Sequence, residues 1–408
     1  MSEEILSDNK KESSGKSKKF LTWLFGFLIG CIISTVIVST VGILIALYIS
    51  SKNPLDAETS LKAMFLKSVM DENYYEEISE EDYKNGIFKG ILSAAADPYT
   101  CYYTAEEYTS LFADLQGNFQ GVGAMLQMDQ TIGYPFVVQF IEGGAAGESG
   151  VISEGDYIVA VEGEDVYGQT LDEIVSKVRG EEGTFVNITF EGADGRYDVK
   201  LERRKIESPT VSVSDEGDGV WMITITEFDE VTTEQFKKAL SEVYASNAKG
   251  LVIDLRGNPG GSVEVVCDIC REILPEGLIV YTEDKYGKRE EYTCDGTKEI
   301  QIPLAVLVDG GSASAAEIMS GAIKDYGKGT LVGTTTFGKG IVQNIIPLSD
   351  GSAVKITTSK YYTPKGFNIH KIGIDPDVEV KFDGERYLED KYDNQKEEAL
   401  KIVKDQVK

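Results

Sequence analysis

Two short stretches of the chain carry the residue types of a hydrolytic site. They read DGGSASAAE at residues 309–317 and TFGKG at residues 336–340. An apolar run at 303–308 predicts a buried strand before the first stretch, and apolar side chains at helical spacing predict a helix over 315–326. A serine at the start of that helix would have an exposed hydroxyl beside unpaired backbone N–H groups, which can stabilise an oxyanion. This order of elements predicts acyl-transfer chemistry.

A serine nucleophile needs a base, and the chain contains one histidine, His370, beyond both stretches. A triad of His370 with Asp375 or Asp377 is disfavoured because the histidine lies in a polar loop. An uncharged lysine is the other solution, since burial in an apolar cleft lowers the pKa of the amine towards the working pH. Lys339 lies between two glycines with no acid beside it, and Ser–Lys pairs are a known variant of the catalytic triad. Lys339 is therefore the candidate base.

Four motifs together resemble the carboxy-terminal processing peptidases, also called tail-specific proteases. They occur in the family's order, and the similarity extends from about residue 61 to residue 380. The motifs are DLRGNPGG at 254–261, GGSASAAE at 310–317, FGKGIVQ at 337–343 and YYTPKG at 361–366.

The resemblance implies a role for each of five residues. Ser314 matches the nucleophile and Lys339 the base. Gln343 matches the glutamine that orients the lysine, and the backbone N–H groups of Gly260 and Ala315 match the oxyanion hole. No metal or cofactor is implied.

Three positions near the nucleophile have alternative interpretations. Asp309 stands where the family commonly has asparagine, and Ala316 where it commonly has a third serine; neither change removes a catalytic group. Ser312 is predicted to be the N-cap of the helix. The choice of Ser314 over Ser312 as nucleophile rests on the resemblance.

Residues 117–204 differ from the rest of the chain in the pattern of their apolar residues. Short apolar runs broken by glycine predict strands at 137–141, 157–161 and 186–190, and apolar spacing predicts a helix at 171–178. Together with the stretch from 145 to 158, this region resembles a PDZ domain.

Within that region, Gly121, Val122, Gly123 and Ala124 resemble a carboxylate-binding loop. Such a loop presents backbone N–H groups to a chain terminus, and the ligand adds to the sheet as a strand. Arg179 follows the predicted helix. One hypothesis is that it links peptide binding to the active site through a charged hydrogen bond; the alternative is a solvated arginine at a helix C-terminus.

The predicted fold is an α/β protease core, of the ClpP/crotonase-like type that the resemblance implies, with an inserted mainly-β PDZ domain. Strands alternate with helices from residue 206 through the strand at 341–347, which predicts a mainly parallel sheet. The predicted segments are a cytoplasmic tail (1–19), a transmembrane anchor (20–49), an N-terminal helical region (50–116), the PDZ domain (117–204), the protease core (205–383) and a C-terminal helix (384–408). That last helix is expected to be a subunit contact of a homo-oligomer or a frayed tail.

Residues 20–49 contain no charged side chain and are long enough to span a bilayer. A cleaved signal peptide is the alternative, but the run exceeds an ordinary signal peptide's apolar region and lacks a clear cleavage site. Lysines before the run place the N-terminus in the cytoplasm. We expect a single-pass protein of the cell membrane with its catalytic part outside the cytoplasm.

The net charge of −28, from 40 basic and 68 acidic side chains, excludes nucleic acid as a partner. Cys267 and Cys270 have a C-x-x-C spacing, which can indicate redox chemistry or half of a zinc site. They also lie in an apolar helical pattern, which favours buried core cysteines.

The sequence predicts a membrane-anchored serine endopeptidase that cleaves proteins near C-termini presented by the PDZ domain. Because the base must be neutral, activity should rise with pH through neutrality. The alternatives are a PDZ adaptor whose protease-like core no longer cuts, and an acyl-CoA enzyme on a crotonase-like core.

Overall fold

The computed structural model describes Thr40, residues 55–115 and residues 118–407. Apart from Thr40, the predicted membrane anchor at 20–49 lies outside this part of the chain. None of the helices described is long and apolar enough to cross a membrane. The chain divides into two units, one up to Ile87 and one from Phe88 onward.

Two helices begin the described chain, α1 (Ala57–Asn73) and α2 (Glu80–Ser93). Both lie within the N-terminal helical region predicted at 50–116. The Asp56 side chain caps α1 by accepting a hydrogen bond from the N–H of Thr59 at 2.8 Å. The apolar side chains of α1 remain exposed.

A six-stranded sheet forms the centre of the second unit. Its order is β10-β11-β12-β15-β16-β19, antiparallel between the first two strands and parallel across the rest. This confirms the prediction of a mainly parallel sheet. The strands are β10 (Val211–Asp215), β11 (Val220–Ile225), β12 (Gly250–Asp254), β15 (Leu304–Val308), β16 (Thr330–Gly333) and β19 (Val378–Glu379).

Helices cover both faces of this sheet because its strands are apolar on both sides. Leu251 and Ile253 pack with the helices α6 (Thr232–Ala245), α7 (Val263–Arg271) and α8 (Ala315–Tyr326). Val252, which points to the opposite face, packs with the C-terminal helix. The core is therefore three layers deep.

The prediction that residues 341–347 continue the parallel sheet is wrong. They form β17 (Ile341–Pro347), which pairs antiparallel with β18 (Ala353–Tyr362). The turn between these strands, closed by the Leu348 N–H to Ser352 carbonyl bond of 2.8 Å, is too short for a crossover. A separate sheet results, in which β18 also pairs with β1 (Cys101–Tyr103) and β13 (Gly277–Asp284), and β13 pairs with β14 (Arg289–Cys294).

The C-terminal region was predicted as one charged helix over 384–408, and it forms two: α9 (Gly384–Asp390) and α10 (Asn394–Val407). Lys391, with a φ of 61°, ends α9 in a left-handed conformation. Leu400 and Val403 of α10 are buried against the sheet. Within this chain α10 is thus a layer of the core rather than a frayed tail.

The region of the predicted PDZ domain has its own sheet and its own buried core. The first and last strands of the region, β2 and β9, form a separate antiparallel pair. The points where the chain enters and leaves the region therefore lie side by side. Its elements are β2 (Asn118–Gly121), β3 (Ala124–Asp129), β4 (Tyr134–Phe140), α4 (Ala145–Glu148), β5 (Tyr157–Val161), β6 (Glu164–Asp165), α5 (Leu171–Val178), β7 (Phe185–Gly192), β8 (Gly195–Glu202) and β9 (Arg204–Glu207), with α3 (Ala105–Leu115) before them.

Candidate active site

Ser314 lies at the N-terminal end of α8, in the capping position. Its φ of 54° and ψ of −113° are a conformation that residues other than glycine rarely adopt. Its N–H donates to a carboxylate oxygen of Glu317 at 2.9 Å, and its carbonyl accepts from the Tyr361 hydroxyl at 3.0 Å. The hydroxyl is therefore presented from a strained backbone that is fixed on both sides.

The fully buried carboxylate of Glu317 joins the two predicted catalytic segments. Its Oε1 accepts from the Thr336 hydroxyl at 2.5 Å and the Gly338 N–H at 2.8 Å. Its Oε2 accepts from the N–H groups of Ser314 at 2.9 Å and Lys339 at 2.8 Å. The segments of the predicted nucleophile and the predicted base are thus both hydrogen-bonded to one buried side chain.

Sequence reasoning missed Glu317, although the chain contains a signal for it. Ser314 and Glu317 have the S-x-x-E spacing that marks a helix start. The prediction of Ser312 as the cap obscured that spacing.

Ser312 is not the helix cap. Its hydroxyl is buried, donates to the Leu255 carbonyl at 2.8 Å and accepts from the N–H of Asp309 at 2.9 Å. The Asp309 carboxylate in turn accepts from the N–H of Gly257 at 2.9 Å. The side chains of Ser312 and Asp309 thus bind the turn to the segment after β12. The helix cap is Ser314, two residues after the predicted cap.

Lys339 is half-buried, and its Nζ lies 4.7 Å from the centroid of the Tyr99 ring. Burial lowers the pKa of Lys339, and the positive charge of Lys355 lowers it further. The negative charges of Glu317 and Asp97 act in the opposite direction. The direction of the shift is the one that a lysine base requires.

Ser314 and Lys339 line one cavity of about 840 Å³. Residues 341–346 of β17 and Tyr361 also line it, so the wall beside the base is an extended strand. Over the described residues, Lys339 Nζ makes no hydrogen bond to Ser314; its contact is with the Tyr99 ring. The structure brings the two predicted catalytic residues to the same cavity without joining them.

The two predicted oxyanion donors differ in their present partners. The Gly260 N–H donates to Asn258 Oδ1 at 2.8 Å. The N–H of Ala315 has no acceptor among the described residues. A methyl group built on Gly260 would come within 2.6 Å of Ser314 Cβ and 2.9 Å of the Ala315 nitrogen, so the glycine lies directly against Ser314.

Gln343 lines the cavity, and its Nε2 donates to the Thr357 hydroxyl at 3.3 Å. That hydroxyl donates a short hydrogen bond to Asp97. The role predicted for Gln343, orienting Lys339, stays a prediction, because the amide is engaged by Thr357 in this arrangement.

His370 does not form a triad. Its Nδ1 is buried and has no hydrogen-bond partner in the part of the chain described. Asp375 accepts from the Thr335 hydroxyl at 2.8 Å, and Asp377 pairs with Lys324 at 2.9 Å. Both candidate acids are thus engaged elsewhere.

The predicted carboxylate-binding loop, residues 121–124, lines a second cavity of about 320 Å³ together with Val175, Val178 and Arg179. The carbonyl of Gly123 accepts from the Ile141 N–H at 3.0 Å. The Ala124 N–H belongs to the same trans peptide as the Gly123 carbonyl and points away from it. It therefore faces the side of β3 opposite to β4.

That side is the free edge of β3, which among the described strands pairs only with β4. The groove between this edge and α5 is the place where a peptide strand can add. Arg179 lies at the end of α5, on the wall of the groove.

The backbone at the end of β11 and just after it lies between the peptide groove and the Gly260 loop. The carbonyl of Ile225 accepts from Asn258 Nδ2 at 2.8 Å, and the N–H of Phe228 donates to the Gly260 carbonyl at 2.9 Å. The intervening residues 226–227 line the peptide groove. One stretch of backbone thus supports the Gly260 loop and walls the groove.

The cysteines of the C-x-x-C pair are buried in the core, as predicted, and burial raises the pKa of Cys267 to about 12. Within the described residues, no group of three or more His, Cys, Asp or Glu side chains could hold a metal ion.

Comparison with family models gives two matches. The model of peptidase family S41 matches residues 219–380, and the model of the PDZ domain matches residues 114–191.

Curated relatives extend the similarity over most of the chain. A probable CtpA-like serine protease of Staphylococcus aureus (strain COL) is 34% identical over 387 residues, covering 92% of this chain and 77% of the relative. One of Staphylococcus saprophyticus, of the same description, is 32% identical over 384 residues, with 91% and 77% covered. Among solved structures, the photosystem II D1 C-terminal processing protease is 29% identical, with 78% of this chain and 86% of that chain covered and a TM-score of 0.47.

Proposed function

Because the chain belongs to peptidase family S41, as a serine-type carboxy-terminal processing peptidase with a PDZ domain, we propose that it is a membrane-anchored endopeptidase that uses a Ser314–Lys339 dyad. The observation that carries the dyad is the shared cavity, with both segments fixed to the buried carboxylate of Glu317. Family membership argues against an acyl-CoA enzyme, and the presence of both Ser314 and Lys339 in one cavity argues against a non-cleaving adaptor.

In the proposed acylation step, Lys339 Nζ takes the proton of the Ser314 hydroxyl as Oγ attacks the scissile carbonyl carbon. The resulting ammonium gives the proton to the leaving amine as the C–N bond breaks, which leaves an ester on Ser314. In deacylation, Lys339 takes a proton from water, which attacks the ester, and returns the proton to Oγ.

The oxyanion of each tetrahedral intermediate would be stabilised by two backbone N–H groups. The N–H of Ala315 can serve as the first donor without rearrangement, because it has no acceptor among the described residues. Gly260 offers the second once its N–H turns from Asn258 Oδ1 towards the cavity. A left-handed φ of 106° at Gly260 is compatible with such a turn because glycine has no Cβ.

The lysine must also move. Its side chain has to leave the Tyr99 ring and point at Ser314. We propose that the Gln343 amide then gives up its hydrogen bond to Thr357 and forms one with Lys339. Segment movement is not required, because Glu317 already holds the backbones of both catalytic residues.

The substrate is proposed to be the loosely folded C-terminal part of a protein. The groove lining, which includes Leu126, Ile158 and Val178, favours an apolar last side chain, and the N–H groups of the loop favour a free carboxylate. Arg179 is proposed to report an occupied groove to the active site.

Three further proposals rest on the sequence. The uncharged run at 20–49, with lysines before it, would anchor the protein in the cell membrane with its catalytic part outside the cytoplasm. The core would be of the ClpP/crotonase-like type. The third proposal is that the chain forms a homo-oligomer.

The test is cleavage of an unfolded protein, such as reduced casein, by the full-length enzyme in detergent. We expect Ser314→Ala and Lys339→Ala to reduce cleavage to background. Ser320→Ala, on the same helix with its hydroxyl bonded to the Ala316 carbonyl, should cleave like the wild type. Undiminished cleavage by Ser314→Ala or Lys339→Ala would refute that residue's role.

The groove is tested with peptides that have an apolar C-terminal residue. A free carboxylate should bind, whereas the amidated peptide of the same sequence should bind more weakly, since it cannot present an anion to the loop. Equal affinity for both peptides would refute carboxylate recognition.

A further inference from the structure

Tyr99 lies against the proposed base, and no role has been assigned to it so far. The distance of 4.7 Å between Lys339 Nζ and the ring centroid is within the range in which an aromatic face attracts a cation. In the described part of the chain Nζ has neither a hydrogen bond nor an ion pair, so the ring face is where the structure holds this amine.

The ring is held in place through its own backbone and its neighbours. Asp97 Oδ1 accepts from the Tyr99 N–H at 3.0 Å, and Asp97 Oδ2 accepts from the hydroxyls of Thr100, at 2.8 Å, and Thr357. The Thr357 N–H donates to the Thr100 hydroxyl at 3.1 Å, which joins this turn to β18. The backbone that carries the Tyr99 ring is therefore fixed to β18.

Among the described residues, no carboxylate forms a salt bridge with Lys339. Glu317 is already saturated by its hydrogen bonds to the two catalytic segments, and Asp97 is occupied by the donors that hold Tyr99. The charged groups that face the lysine or line its cavity are Lys355 on β18, Glu317 on α8, Asp97 before β1, and Glu230, Glu264 and Glu290 on the cavity walls.

We propose that Tyr99 is a positioning residue that holds the protonated amine of Lys339 away from Ser314 and releases it when it becomes neutral. The proposal depends on the assignment of Lys339 as the base. The attraction of a ring quadrupole acts on the ammonium and not on the neutral amine. The ring therefore holds the inactive protonation state and does not compete with Ser314 for the active one.

The effect on titration has a definite sign. A contact that favours the ammonium raises the pKa of Lys339, and so opposes burial and Lys355, which lower it. Removing the ring face should lower this pKa further. The acid limb of the activity profile should then move to lower pH, because the neutral amine appears earlier as pH rises.

The experiment compares Tyr99→Leu, which keeps bulk but removes the ring, with Tyr99→Phe, which keeps the ring and removes the hydroxyl. Full-length enzyme in detergent is used for kcat/KM against pH. The titration of Lys339 itself is followed, in a Ser314→Ala background, by the pH dependence of its acylation by a small reagent, read by mass spectrometry. Fluorinated phenylalanines at position 99 weaken the ring quadrupole at nearly constant shape, and serve if Tyr99→Leu does not fold.

We expect Tyr99→Leu to lower the midpoint of the acid limb of kcat/KM and the midpoint of the Lys339 acylation titration, each by roughly 0.5 to 1.5 pH units. Tyr99→Phe should leave both midpoints unchanged. Increasing fluorination should lower them step by step. A Leu variant with less activity but an unmoved labelling midpoint would overturn the proposal, because that is the result of a merely structural role. Full activity of Lys339→Ala would instead refute the base, and the labelling midpoint would still decide whether the ring holds the amine.

Discussion

The buried carboxylate of Glu317 accepts a hydrogen bond from the backbone N–H of Lys339 at 2.8 Å. The same oxygen accepts from the N–H of Ser314 at 2.9 Å. Two segments separated in sequence therefore share one acceptor atom, and a change at Glu317 should affect both proposed catalytic residues at once.

Glu317→Gln tests this relationship. A glutamine has one acceptor oxygen, so its NH₂ group must face either the two donors at Oε1 or the two at Oε2. Each buried donor left without an acceptor costs about 1–3 kcal/mol. We expect a loss of stability of that order in urea unfolding, together with a large loss of kcat in the folded fraction.

The matched control is Glu385→Gln on α9, where the side chain is exposed. It should leave both stability and cleavage unchanged. A Glu317→Gln protein as stable and active as the wild type would show that the carboxylate does not hold the two segments.

The positive charge of Lys355 should set part of the pH dependence. Since it lowers the pKa of Lys339, Lys355→Met should raise that pKa, so that a higher pH is needed to form the neutral base. The acid limb of kcat/KM should move to higher pH, with several-fold lower activity on that limb and little change on the alkaline plateau.

Lys360→Met, on the same strand and exposed, is the control for a general effect of lost charge. It should leave the limb in place. A limb that moves to lower pH in Lys355→Met would contradict the assignment of Lys339 as a base that must be neutral.

Gly260→Ala should abolish activity through close contact. Its Cβ would meet Ser314 Cβ at 2.6 Å and the Ala313 carbonyl oxygen at 2.8 Å, and its φ is 106°. We expect cleavage to fall by at least about 100-fold, as for a lost oxyanion donor, in a protein whose circular dichroism still shows the native fold.

Gly257→Ala is the control that distinguishes backbone strain from the contact between residue 260 and Ser314. Gly257 also has a left-handed φ, 67°, but an added Cβ there meets nothing within 4 Å. A stability loss of about 1 kcal/mol with activity retained is expected. Equal inactivation by both substitutions would mean that strain in the loop, rather than contact with Ser314, is what matters.

The C-terminal helix should contribute to folding. Leu400 of α10 is 5% exposed and packs against the central sheet. Leu400→Ala should lower the free energy of unfolding by about 2–5 kcal/mol, measured by urea titration. Glu397→Ala, on an exposed position of the same helix, should change it little; similar effects from both would argue against this packing.

Local patterns predicted much of the fold. The helix at 171–178 and the strand at 157–161 have the predicted bounds. The errors came from partners distant in sequence. Nothing near residues 341–347 shows that they pair with the next strand instead of the central sheet, and the few apolar residues of α10 become informative only beside the sheet face that they cover.

The predicted catalytic residues line one cavity, but their hydrogen bonds could not be predicted. Tyr99 lies far from Lys339 in sequence, and only the pairing of β1 with β18 brings its turn to the site. The engagement of the Gly260 N–H by Asn258 depends on a side-chain rotamer that no pattern encodes. Motifs indicate which atoms could react; tertiary contacts determine where those atoms rest.

The backbone of residues 225–228, which touches the peptide groove on one side and the Gly260 loop on the other, limits how this enzyme can be recombined with its relatives. A foreign PDZ module inserted at the β2–β9 pair would meet a wall shaped for another groove. Grafting residues 225–228 along with it would instead disturb the support of the Gly260 loop. Active chimaeras should therefore be those that exchange the module, residues 225–228 and the Gly260 loop together.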